Sequence, residues 1–216
     1  MAARERILGR IRRRLGRGGT QSPAQREAVE TYLRRRPRGP LRPLPGDLVS
    51  RFIERAQAAS CTTERVPVPA QVPGAVARYL DAHALPKAGC VWPKLAALDW
   101  KSAGLALDPR AARDGDAVGV TGAFCAIAET GTLMLCSGAE TPASVSLLPE
   151  THVAVVPASR IIAYMEDAWD LARAELGLLP RAVNFVSGPS RTADIEQTIV
   201  LGAHGPYRVH IVIAGE

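Results

Sequence analysis

The apolar positions change their period along the chain, and those changes divide it. Ile7, Leu8, Ile11 and Leu15 follow i, i+1, i+4 and i+8 among arginines, which places them on one face of a helix over residues 2–16. Gly16, Gly18 and Gly19 end that helix. Ser22-Pro23 is an N-cap and N1 pair that predicts a second helix to about Leu33. Arg34-Arg35-Arg36-Pro37-Arg38-Gly39-Pro40, with Pro43 and Pro45, then reads as an extended linker. Asp47 opens a third helix whose Leu48, Phe52, Ala56 and Ala59 share a face.

Beyond residue 60, short β-branched runs alternate with helical ones. Thr62 to Val68 predicts a strand, and Val72 to His83 a helix with Val76, Tyr79 and Leu80 inward. Gly89 to Trp92, Leu105 to Leu107 and Ala117 to Val120 predict further strands. Phe124 to Ala128 and Thr132 to Cys136 are strand-like runs joined by Glu129-Thr130-Gly131, with glycine where a hairpin needs positive φ. His152 to Val156 has the composition of a buried parallel strand. Ser159 is expected to cap a long helix to about Leu176, with Ile162, Met165, Trp169 and Ala172 on one side. Ala182 to Val186 predicts another strand. Tyr207 to Ile213, with Val209, Ile211 and Ile213 alternating, predicts the last. The alternation implies an α/β fold, a mostly parallel sheet sandwiched by helices with one internal hairpin. The expected division is a basic helical arm with a proline-rich linker over residues 1–44 and an α/β domain over 45–216.

Charge sharpens that division. Residues 1–42 hold 13 of the 27 basic residues and three of the 21 acidic ones, leaving 14 basic and 18 acidic in the remainder. The arm is therefore basic and the α/β part mildly acidic. The arm lacks interleaved aromatics and any DNA-binding spacing, which argues against nucleic acid. Docking on an acidic partner subunit is the preferred reading, ahead of a solvated tail. Cys61, Cys90, Cys125 and Cys136 form no CxxC pair, and no histidine lies at zinc-ligand spacing. They are expected to be reduced, packed as small hydrophobes, in a cytoplasmic protein with no metal or cofactor on this chain. No apolar run reaches the ~20 residues that span a bilayer, so no membrane insertion is expected.

Two stretches concentrate candidate chemistry. Ser187-Gly188-Pro189-Ser190-Arg191-Thr192-Ala193-Asp194 follows a predicted strand and gathers turn formers, hydroxyls and a forked cation, the makings of an anion site. Ser187, Gly188, Ser190, Arg191, Thr192 and Asp194 are its candidate ligand-binding residues, expected beyond the carboxyl ends of the strands. The alternative is a capped loop with a purely architectural role. Glu129 ends a buried run beside Thr130-Gly131-Thr132. A carboxylate there is costly unless paired or used, and Thr130, Gly131 and Thr132 offer further donors. His204, in a turn before the last strand, is the best general-base candidate among the histidines. His152 reads as structural, and His83 and His210 as incidental. Lys94 is a further possible anion contact, and the tryptophans are expected to pack.

Ala126-Ile127-Ala128-Glu129-Thr130-Gly131-Thr132, Ser146-Leu147-Leu148-Pro149, and Ser187-Gly188-Pro189-Ser190-x-Thr192-x-Asp194-Ile195-Glu196 resemble, in that order, the motifs of the LUD-domain family, over roughly residues 45–215. The resemblance implies an α/β sandwich similar to ribose-5-phosphate isomerase, CoA transferases and 5-formyltetrahydrofolate cyclo-ligase. It also implies a part in oxidising L-lactate to pyruvate beside two iron–sulfur partner proteins, which would carry the clusters. In the similar CoA-transferase fold a glutamate beside glycine attacks the acyl group, and Glu129 would be its counterpart. The other reading is a stand-alone enzyme acting on a CoA, folate or sugar-phosphate compound. The ligand, the role of the arm and the oligomeric state are not specified by the sequence.

Overall fold

In the computed structural model, which describes residues 2–16, 21–192 and 200–215, the chain divides into two units, Met1–Arg42 and Pro43–Glu216. The first holds α1 (Ala2–Arg14) and α2 (Pro23–Arg35). A capping box starts α2: the Ser22 hydroxyl accepts from Gln25 N at 3.2 Å, and the Gln25 side chain accepts from Ser22 N at 3.0 Å. Ile7 and Ile11 of α1, and Leu15 just past its end, are exposed.

The second unit runs α3 (Leu48–Ala58), β1 (Thr62–Val66), α4 (Val72–Ala82), β2 (Ala88–Val91), β3 (Ala106–Pro109), β4 (Val118–Gly122), β5 (Cys125–Ile127) and β6 (Thr132–Cys136). It continues through β7 (Thr151–Pro157), β8 (Ile161–Ile162), α5 (Met165–Leu176), β9 (Val183–Val186), β10 (Arg191–Thr192), β11 (Val200–Leu201) and β12 (Arg208–Ala214). The main sheet is six-stranded, in the order β1-β12-β7-β4-β2-β3, and every pairing in it is parallel. A second sheet has the order β8-β5-β6-β9. The β5–β6 hairpin cannot join a parallel sheet, because a tight turn reverses the chain. It founds the second sheet instead, with β9 antiparallel to β6 and β8 parallel to β5.

Side-chain alternation then sets the layers. Val118, Val120, Val153, Val155 and Val212 face α4, where Val72, Val76 and Leu80 cover them. The opposite face, with Ala154, Val156, Val209, Ile211 and Ile213, packs on Ala126, Leu133 and Leu135 of the second sheet and on Phe52 and Ala56 of α3. The outer face of the second sheet, Cys125, Ile127 and Met134, takes Ala168 and Ala172 of α5. The α/β expectation holds, with a second sheet as one of the layers covering the first.

Helix α5 starts at Met165 and not at Ser159. Ala158–Arg160 is a 3-10 turn, and Ile161–Ile162 pairs with β5, so Ile162 belongs to a strand. The Asp167 carboxylate caps the true start by accepting from Tyr164 N at 3.1 Å. Among the described residues no helix is long and apolar enough to cross a membrane.

Candidate functional site

The two motif turns meet because β6 and β9 are neighbours, with Leu133 opposite Val186. That register brings the Thr132 and Ser187 hydroxyls to 2.5 Å, and Thr130 donates to Thr132 at 2.7 Å. Both turns press on the last turn of α3. A Cβ on Gly131, at φ +69°, would sit 2.3 Å from Ala56 N, and one on Gly188, at φ +85°, 2.1 Å from Ala59 O. Only glycine satisfies both the backbone angle and the approach. The Arg55 guanidinium donates to the Glu129 carbonyl at 3.2 Å. Arg191 reaches the same helix end, donating to the Ser60 hydroxyl and, at 3.5 Å, to Ala59 O. A guanidinium is favourable there because the carbonyls of a helix end carry partial negative charge. Arg191 and Glu129 therefore sit at one helix end, but no ion pair joins them.

Ser190 ties the β9 turn to the loop after β11. Its N donates to Pro206 O at 2.9 Å, its carbonyl accepts from Gly202 N at 2.9 Å, and its hydroxyl accepts from His204 N at 3.3 Å. His204 is exposed beside that crossing, and Thr192 is buried in β10. Asp194 lies outside the described residues.

Next to this junction opens a cleft of about 470 Å³, lined by Ser60, Thr62, Tyr79, His83, Arg191, Tyr207 and Arg208 among others. It lies at the amino ends of β1 and β12, whereas the sequence reading placed the pocket beyond carboxyl ends. The difference is one of layers: the turn leaves the carboxyl end of β9 in the second sheet and lands on the amino edge of the first. Two guanidinium groups line the cleft, and none of its described lining residues is acidic. Arg208 lies over the Tyr207 ring, 4.8 Å from its centroid, with Nη1 3.7 Å from a Glu150 carboxylate oxygen.

The floor is an aromatic stack. Thr62 is opposite His210 in the β1–β12 register, and its hydroxyl lies 2.8 Å from His210 Nδ1. The His210 ring stacks on Tyr79 at 4.0 Å, and the His83 ring, tilted, packs against Tyr79 at 4.4 Å. Burial, with help from the nearby His83, pushes His210 down to about 4, so it is neutral at pH 7. Burial raises the Tyr79 phenol, opposed by a hydrogen bond with Thr62 and by the charge of Arg208. Of the residues singled out in the sequence, Arg191 lines this cleft. Thr130, Gly131, Thr132, Ser187 and Gly188 stand behind it, fixing the turn against α3. The sequence reading missed Ser60, Thr62, Tyr79, His83 and Arg208. The available signal was the Tyr79/His83 pair at i, i+4, which shares a helix face.

His152 and Lys94 are elsewhere. His152 is fully buried on β7, with Nε2 2.7 Å from the Thr121 hydroxyl of β4, and desolvation pushes it down to about 4. Lys94 lines a separate pocket of about 240 Å³ with Phe124, Ser137 and Thr141.

The LUD domain model matches residues 98–214, more than half of the chain. Lactate utilization protein C of Bacillus subtilis (strain 168) is 38% identical over 102 residues, which cover 46% of this chain and 42% of that protein. The protein of the same name from Bacillus licheniformis is 36% identical over 126 residues, covering 56% and 52%. That from Halalkalibacterium halodurans is 40% identical over 99 residues, covering 44% and 43%. The chain thus spans about half the length of the curated relatives it matches. Among solved structures, a DUF162 family protein from Deinococcus radiodurans superposes with a TM-score of 0.60 at 25% identity, covering 80% of this chain and all of that one. By the extent of its domain match and by these relatives, the chain belongs to the LUD-domain family.

Proposed function

We propose that this chain acts in lactate utilisation as the subunit that binds a small organic anion, in the cleft between Arg191 and Arg208. The relatives named lactate utilization protein C support the physiological setting. The observation that carries the binding site is the sign of the cleft: two guanidinium groups and, among the described lining residues, no acid around about 470 Å³. Each planar fork can take a carboxylate or phosphate edge-on with two parallel hydrogen bonds. Ser60 and Thr62 add hydroxyls, and Tyr79, Leu201 and Val209 give the ligand an apolar bed. Redox chemistry on lactate then falls to iron–sulfur partner proteins, and the basic arm is the segment suited to docking on an acidic partner.

The test is calorimetric titration of the whole chain with L-lactate, pyruvate and inorganic phosphate. Hydrogen bonds to charged groups contribute roughly 1.5–3 kcal/mol each, so Arg191→Gln and Arg208→Gln should each weaken anion binding at least about tenfold. No binding of any anion, or binding indifferent to both substitutions, refutes the site. The size of the cleft favours a second reading, because it falls among clefts of ~300–1,000 Å³ that hold ligands larger than a three-carbon acid. Tight binding of a CoA ester or a sugar phosphate, with none of lactate, would favour the stand-alone enzyme.

A further inference from the structure

We infer that His83 is the residue by which this cleft tells a hydroxyl-bearing anion from its keto counterpart; the inference rests on the anion-binding reading above. His83 follows the last residue of α4 and lines the cleft. Its Nδ1 lies 2.9 Å from the carbonyl oxygen of Tyr79, one helical turn back. A carbonyl can only accept, so Nδ1 carries the hydrogen. In the neutral ring, Nε2 is then a bare lone pair. The ring is also held in place, packed at 4.4 Å against Tyr79, which is itself stacked at 4.0 Å on the buried His210. His210 cannot serve instead, because its Nδ1 is engaged with Thr62 and the residue is 3% exposed.

The other polar groups around the cleft are mostly donors. Arg191 and Arg208 can only donate, and a hydroxyl or phenol can do either. Among the described lining side chains, the His83 ring is the one whose second nitrogen, in the neutral form, can only accept. A ligand whose acid group is held by the arginines and which carries a hydroxyl nearby satisfies that acceptor. A keto oxygen in the same position sets two acceptors against each other. Sites built to hydrogen-bond a hydroxyl reject the analogue that lacks it, because a polar group is left unpaired. The ligand class is therefore a hydroxy acid or another hydroxylated anion.

L-lactate and pyruvate are the matched probes, since they share a carboxylate and differ at this one oxygen. Titrated at pH 8 into the whole chain, L-lactate should bind about tenfold more tightly than pyruvate, the worth of one hydrogen bond made against one unsatisfied acceptor. His83→Phe keeps a ring against Tyr79 and removes the acceptor. It should bring the two acids to a common value, weakening lactate by the lost hydrogen bond and strengthening pyruvate by the relieved opposition. His83→Gln restores an acceptor oxygen and should recover part of the preference, whereas a merely architectural role would not respond to the difference between Phe and Gln. Equal binding of the two acids by the unaltered chain, or a preference that survives His83→Phe, overturns the inference. If Arg191→Gln still weakens both acids in that case, the anion site stands without it. If neither acid binds at all, both readings fall together.

Discussion

Replacing Gly131 by alanine isolates the contact that seats the β5–β6 turn on α3. The new Cβ would lie 2.3 Å from Ala56 N, 2.5 Å from Arg55 C and 2.9 Å from Ala56 Cα, all backbone atoms that no rotamer change can move. The helix would have to withdraw by about an ångström to restore ordinary contact, and a gap of 0.5–1 Å forfeits roughly a quarter to a half of the dispersion well for each pair of atoms lining it. Phe52 and Ala56, both wholly buried, sit on that seam. Opening it should cost roughly 2–3 kcal/mol, within the range for disturbed core packing. The left-handed backbone, φ +69°, adds about 1–2 kcal/mol for any residue with a Cβ. Gly104→Ala supplies the control: its φ is +75°, and a Cβ there meets nothing within 4 Å. Urea unfolding followed by tryptophan fluorescence should show Gly104→Ala losing about 1–2 kcal/mol and Gly131→Ala about 2–3 kcal/mol more. Equal losses for the two variants would mean that the close approach carries no energy and that the turn is not clamped to α3.

Acid should destabilise the α/β unit through its two buried histidines. His152 and His210 are both held down to about 4, so the unfolded chain takes up their protons first as pH falls below the ordinary value of 6.5. Stability is complete above pH 6.5 and declines towards pH 4, by roughly 3 kcal/mol per histidine at 1.36 kcal/mol per pKa unit. Urea midpoints across that range measure it, and an unchanged midpoint between pH 7 and 4.5 refutes it. Asp116 binds Arg110 through both oxygens, at 2.7 and 2.9 Å, and also accepts from Arg113 N at 2.7 Å. The Arg110 guanidinium foremost lowers the carboxyl to about 2, so this contribution persists above pH 3.8 and fades only as pH approaches 2. Asp116→Asn should cost about 2–3 kcal/mol at pH 7, and a loss under 0.5 kcal/mol would show that the pair is solvated.

Local chemistry was legible where it acts over a few residues. The Ser22-Pro23 start of α2 and the Asp47 cap of α3, whose carboxylate accepts from Ser50 N at 2.8 Å, are short-range hydrogen bonds written in adjacent side chains. The hairpin around Gly131 was equally plain. Ser159 misled because a serine before an apolar run looks like a cap, while β8 is created by pairing with a strand over thirty residues earlier. The same limit governs the cleft. Tyr79 and His83 lie together in sequence, but their neighbours Thr62, Arg191 and Arg208 arrive by strand pairings that no local pattern encodes. His83 looked incidental because an exposed histidine past a helix end has no signature until the sheet edge beside it is known. The motif turns were found by composition, and their glycines turn out to have a packing reason at α3 as well.

The placement of β12 between β1 and β7 bears on how this polypeptide is made. The final strand is an interior member of the sheet, hydrogen-bonded on both sides by partners synthesised about 60 and 150 residues earlier. Until residues 208–214 leave the ribosome, β1 has no neighbour and β7 exposes an unpaired, apolar edge. The nascent chain must therefore pass through a long interval with a split sheet, the condition in which unprotected edges recruit one another. Chaperone dependence during synthesis should consequently track the emergence of these seven residues, and not the appearance of the earlier helices.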